Sequence, residues 1–223
     1  MAEIIPALMP KTYEDIERYA EKLNGLVSVI QLDIMDGVFV PEKTWPYAEY
    51  ENSPEAVLPS GGGVAFEMDL MVARPEPELS AWSAAGAARV IAHIESIGSA
   101  NDFAAEAKRA RERASGKILE VGIALNIETP VEKLAPLMDD IDFVQCMGIA
   151  KIGYQGQPFD KRVLHKIKDL RERYPGIIIT VDGGVNLETA PDLIRAGADR
   201  LVSGSAILRS ENIREIIASF QSL

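Results

Sequence analysis

The residues in this sequence whose types and spacing could do chemistry are aspartates that close apolar runs. Asp33 and Asp36 fall at the end of the β-branched run inside VSVIQLDIMDGVFVP (Val27–Pro41), and Gly37 follows at once. Asp69 lies near the end of the run Val64–Met71, and Asp182 directly follows Ile177–Val181. Burying a carboxylate without a partner is costly, so an acid that ends a buried strand needs an ion pair, a capping duty or a reactive role. The reactive role is the sharper reading, because parallel α/β folds carry their chemistry at the C-terminal ends of the strands. The same strand ends hold Gln31, Met35, Glu67, Met71, His93, Glu95 and Met147. Three acids from three strands converging on one mouth is not a packing solution; a core would hold Val or Leu there.

A second cluster points to an anion. VDGGVN (Val181–Asn186) and VSGSAI (Val202–Ile207) each place small residues between a strand and a helix. Glycines let backbone N–H groups approach an anion, and helix N-termini favour negative charge. In barrels the loops after the seventh and eighth strands are the usual phosphate site.

The elements that must position these residues alternate. Apolar runs read as strands at Ile4–Met9, Val27–Met35, Val64–Met71, Arg89–Ile94, Ile118–Leu125, Phe143–Met147, Ile177–Val181 and Arg200–Val202. Helical patterns run over Thr12–Leu23 with Thr12 as N-cap, Pro77–Ala85, Asp102–Ala114, Pro130–Met138, Lys161–Tyr174 and Asn212–Phe220. A long Pro-, Gly- and aromatic-rich connection, Phe39–Gly63, carries a short helix near Pro54–Leu58; so long a loop is usually functional. Eight βα units in 223 residues predict a (β/α)8 TIM barrel of the phosphate-binding type, one domain over residues 1–223. An open doubly wound sheet would need a GxGxxG turn after the first strand, and there is none.

The net charge of −11 and the absence of a Lys/Arg cluster argue against a nucleic-acid partner. One cysteine, Cys146, leaves no internal disulfide and suits a reducing compartment. No signal peptide and no membrane-spanning run are evident, so a cytoplasmic location is expected.

The chain resembles the ribulose-phosphate 3-epimerases. LDIMDGVFVP (Leu32–Pro41), DLMVARPE (Asp69–Glu76), AHIES (Ala92–Ser96), GYQGQPF (Gly153–Phe159), VDGGVN and VSGSAI match that family in order and spacing over nearly the whole length. The resemblance implies inversion of carbon 3 of a ketose phosphate through an enediolate, with Asp33 and Asp182 as the acid–base pair. It implies Gln31, Met35, Met71 and Met147 as pocket lining. Phosphate would fall on Gly183, Gly184, Gly204 and Ser205, under a loop that includes Gly153 and Gly156. A homo-oligomer is also implied.

Departures from the family pattern sit at its centre. The two metal-ligand histidines are replaced by Gln31 and Asp69, two serines by Ala7 and Pro10, and a proline by Lys151 in a loop one residue longer. Ionised together, Asp33, Asp69 and Asp182 carry three like charges, which raises at least one pKa unless a cation intervenes. A divalent metal on Asp33, Asp69 and Asp182 is the expected cation, Mg²⁺ or Mn²⁺ before Zn²⁺ because every ligand is oxygen; Lys43 or Lys151 is the side-chain alternative, and one acid kept protonated is the third. Without a metal, Gln31 would have to donate to the enediolate. A barrel that binds phosphosugar without turnover, or a lyase or decarboxylase using Lys151, are the competing functions.

Several residues also have plainer explanations. His93 can be structural, His165 solvent-exposed, Cys146 a buried inert thiol, the methionines core filler and Asp36 a loop cap. Trp45, Trp82 and Tyr154 can be packing anchors, Tyr154 alone being placed to meet a ligand.

Overall fold

The computed structural model describes residues 2–49, 57–59, 63–114 and 119–223. Eight strands pair in parallel in chain order and close into a barrel: β1 Glu3–Leu8, β2 Val29–Met35, β3 Ala65–Met71, β4 Arg89–His93, β5 Glu120–Leu125, β6 Phe143–Met147, β7 Ile178–Asp182 and β8 Arg200–Ser203. The expected (β/α)8 barrel is therefore the fold. The helices are α1 Tyr13–Leu23, α2 Glu76–Ala85, α3 Ala100–Arg113, α4 Arg162–Arg173, α5 Ala190–Ala196, α6 Ser205–Leu208 and α7 Ile213–Gln221.

Local chemistry fixes these bounds. Thr12 caps α1 in a reciprocal box, its Oγ1 accepting from the Asp15 amide while Asp15 Oδ2 accepts from Thr12 N. Ile16, Ala20 and Leu23 recur on one face and are buried against the barrel. Between β5 and β6 the expected α-helix is instead a 3₁₀ helix over Val131–Leu137. Pro136 lies inside it and has no N–H to continue an α-helical ladder, which corrects the sequence reading. The short helix expected near Pro54–Leu58 falls largely outside the described residues.

Side chains alternate across each strand. Outward residues such as Ile30, Leu32 and Ile34 join the large core between barrel and helices. The interior is filled by smaller clusters, Ile5, Ala7, Val29 and Val202 on one side and Ile91, Ala124 and Phe143 on the other. Gly122 is required there: a Cβ on it would stand 2.4 Å from Phe143 Cζ. At the N-terminal end Arg89 lies 3.0 Å from Glu3, 3.4 Å from Glu67 and 3.4 Å from Glu120, and Arg200 lies 2.7 Å from Glu120. That ionic floor leaves the opposite end for the site. Among the described residues no helix is long and apolar enough to cross a membrane.

Candidate active site

Parallel register brings the acids together. Pairing of β2 with β3 matches Gln31 with Glu67, Asp33 with Asp69 and Met35 with Met71; β6 with β7 matches Met147 with Asp182. One carboxylate oxygen from each of Asp33, Asp69 and Asp182 lies within 4.8 Å of the other two. Asp33 and Asp69 are buried and Asp182 is half-buried.

One amide joins two of these acids. Gln31 Nε2 donates to Asp33 Oδ1 at 2.9 Å and to Asp182 Oδ2 at 3.0 Å. Both of its hydrogens are thereby committed, which leaves none for an enediolate. Asp69 is received differently: Gln145 Nε2 donates to its Oδ2 at 3.2 Å, and His93 Nε2 lies 3.2 Å from its Oδ1 without hydrogen-bond alignment. The other ring nitrogen of His93 is 3.8 Å from Glu95, whose Oε1 accepts from Asn126 N and Thr129 Oγ1. His93 is thus walled in beneath the site and also packs on Phe39, ring centroids 5.5 Å apart.

Burial and like charge set the protonation. Desolvation, reinforced by Asp182 and Asp69, pushes Asp33 well above the ordinary carboxylate range. Desolvation and then Asp69 raise Asp182 to about 7, with the Gln31 amide acting against them. For His93 burial works against charge, but Asp69 and Glu95 outweigh it and raise the imidazole to about 9. The same burial would raise Glu95, yet the nearby His93 imidazole and hydrogen bonds from Thr129 and Asn126 bring it down to about 2.

The donor set fits a divalent cation. All three acids offer oxygen, each of Asp33 and Asp182 gives only one oxygen to Gln31, and Gln31 Oε1 and Asp69 Oδ1 are buried without a hydrogen-bond partner.

At the acids opens a cavity of about 270 Å³ lined by Asp33, Asp182, Met71 and Met147 together with Gly183, Gly184, Gly204 and Ser205. Gly153, Tyr154 and Gly156 of the loop after β6 also border it. Gly183 and Gly184 have φ of +94° and +70°, and a Cβ on Gly184 would stand 2.8 Å from Phe159 Cα, so this approach of backbone to cavity requires glycine. Gln31, Met35 and Asp69 lie behind the cavity wall; Met35 packs with Met71 and Val40. Lys151 is exposed and does not border the cavity, and the Lys43 stem lies over Gly37.

The plainer explanations hold elsewhere. Asp36 Oδ1 accepts from Val38 N and Phe39 N and its Oδ2 from Ala73 N, so it caps loops. Trp45 and Trp82 pack edge-on at 5.8 Å, His165 is exposed, and burial pushes the Cys146 thiol up to about 12. Gln145 escaped the sequence reading. Its signal was a polar residue two positions before Met147 and so on the same face of an apolar strand.

Eight parallel strands with a cavity at their C-terminal ends define a (β/α)8 barrel with its cavity where this fold carries its sites. More narrowly, residues 3–208 match the ribulose-phosphate 3 epimerase family, and the chain belongs to it. It is 29% identical to the ribulose-phosphate 3-epimerase of Bacillus subtilis (strain 168), covering 99% of both chains. It is 31% identical to the chloroplastic ribulose-5-phosphate-3-epimerase of Arabidopsis thaliana over 86% of this chain and 66% of that one. Among solved structures, KGPDC from Streptococcus mutans has a TM-score of 0.75 at 14% identity, covering 99% of this chain and 96% of that one. A 3-hexulose-6-phosphate synthase has a TM-score of 0.71 at 22% identity, covering 99% and 98%. At those identities the structures share the fold alone.

Proposed function

We propose that the protein is a phosphosugar 3-epimerase, inverting carbon 3 of a ketose phosphate with Asp33 and Asp182 as the proton-transfer pair. The observation that carries this reading is the two carboxylates, on β2 and β7, joined through one amide and lining a cavity that the two glycine loops also line. Inversion requires a base on one face of the carbon and an acid on the other. Raised pKa values let one carboxyl hold a proton at neutral pH while the other accepts one. Each positioned acid or base contributes roughly 10²–10⁴-fold. Backbone N–H groups at Gly183, Gly184, Gly204 and Ser205 take the phosphate, and the loop with Gly153 and Gly156 covers it.

Asp33, Asp69 and Asp182 would hold a divalent cation, Mg²⁺ or Mn²⁺ before Zn²⁺ given their oxygen ligands. When bound it supplies Lewis-acid stabilisation of the oxygen charge that develops next to carbon 3. Gln31 has no free hydrogen with which to replace that stabilisation.

The test is solvent-deuterium incorporation at carbon 3 of ribulose 5-phosphate, followed by NMR in metal-stripped protein and again with Mn²⁺ added. Exchange and inversion that appear with Mn²⁺ support the reading. Full activity without metal overturns the cation's part in it. No exchange in either sample, with the sugar phosphate still bound, overturns the epimerase.

A further inference from the structure

Gln31 stands in the middle of β2, its backbone flanked in register by Ala7 of β1 and Glu67 of β3, and its side chain is fully buried. From that fixed point one amide nitrogen reaches acids on two different strands, at 2.9 and 3.0 Å. The two acids do not depend on it equally. The Gly183 N–H, next to it in the chain, also acts on the Asp182 carboxylate. Among the described residues, Gln31 is the only hydrogen-bond donor to the Asp33 carboxylate. Because both hydrogens are committed, Gln31 touches the reaction through its neighbours and not through the substrate.

We propose that Gln31 is a positioning residue that sets Asp33 against Asp182 for two-sided proton transfer, with Asp33 the member that depends on it. This rests on the two-aspartate reading above. Inversion needs both acids in place, whereas exchange of the carbon-3 hydrogen with solvent needs only the acid on the face that carries it. Loss of the amide therefore separates the two processes. Asp182, still beside the Gly183 N–H, continues to exchange the epimer whose hydrogen faces it, while Asp33 no longer completes the inversion.

The experiment follows, with Mn²⁺ present throughout, deuterium uptake and inversion at carbon 3 for ribulose 5-phosphate and, separately, its epimer xylulose 5-phosphate, in the wild type and Gln31→Met. Methionine keeps the length and removes the donor. Gln31→Asn, which keeps an amide but is too short to span both acids, is measured in parallel and carries the test if Gln31→Met does not fold. A misplacement on the order of 1 Å costs about 100-fold, so inversion falls by about that factor while KM stays within about threefold. Exchange persists for one epimer only, and its ratio to inversion rises at least about tenfold. Equal loss of exchange and inversion from both epimers, as a general structural defect produces, overturns the proposal. So does a variant with inversion unchanged. A folded wild type that neither exchanges nor inverts either sugar overturns the two-aspartate reading itself, and this inference with it.

Discussion

Asp69→Asn removes one of three clustered carboxylates while keeping its shape. Like unit charges within 4.8 Å repel by roughly 3 kcal/mol at an effective dielectric of about 20. At about 1.4 kcal/mol per pKa unit, that is at least about two units on Asp182 before any offset. A share is offset, because His93 sits 3.2 Å from Asp69 and its imidazole gives up part of its positive charge when that partner goes. The net expectation is a fall of about one unit from the wild-type value of about 7, since a carboxyl freed of a like charge ionises more readily. The measurement is a carboxyl-carbon NMR titration of metal-stripped protein, with Asp182→Asn to assign the resonance. An Asp182 midpoint that stays put or rises would refute the account in which burial and then Asp69 set its pKa. In activity terms, the acidic limb of metal-free deuterium exchange moves the same way.

Gly204→Ala brings a methyl 3.1 Å from Gln155 Nε2 and 3.3 Å from the Ala7 carbonyl, where phosphate is proposed to sit; KM should rise about tenfold or more with kcat little changed, read by steady-state kinetics. Mn²⁺ should raise the thermal midpoint, worth about 2.7 kcal/mol at a hundred times Kd, and Asp33→Asn should remove most of that gain in a calorimetric scan. Glu67 is raised to about 7 because its burial outweighs Arg89 and Arg200. A carboxyl whose folded pKa exceeds its unfolded one stabilises most below about 4.5 and loses that stabilisation as pH rises through about 7. The loss is about 3 kcal/mol, and urea unfolding of Glu67→Gln between pH 4.5 and 8 should lack it.

Much of the barrel was legible because its strands are buried on both faces and read as continuous apolar runs, and because Thr12 and Asn212 mark helix starts that the structure uses as N-caps. Two features were not legible. The segment Val131–Leu137 has helical spacing, and only the geometry around Pro136 decides between α and 3₁₀. The four-residue helix Ser205–Leu208 is too short to show a period at all. At the site, the acids could be read as strand-end residues, since a strand end is a property of one segment. Their partners could not. Gln145 reaches Asp69 across 76 residues and Gln31 reaches Asp182 across 151, and only the closed register makes those pairs neighbours.

That register also explains how the charge at the site is answered. An aspartate at position 69 places a third carboxylate among two others, which a buried site tolerates only if something answers the charge. Two groups do: Gln145 donates to one oxygen, and His93, held from behind by Glu95, faces the other. A glutamine at position 31 is suited to the same surroundings, because an amide nitrogen can give one hydrogen to each flanking acid, as a neutral imidazole with its single N–H cannot. The two sets of contacts meet only at the carboxylate cluster itself. There Asp33 and Asp182 each keep one oxygen clear of the amide, and that remaining pair of oxygens, with Asp69, is what a cation or a carbon-bound proton can meet.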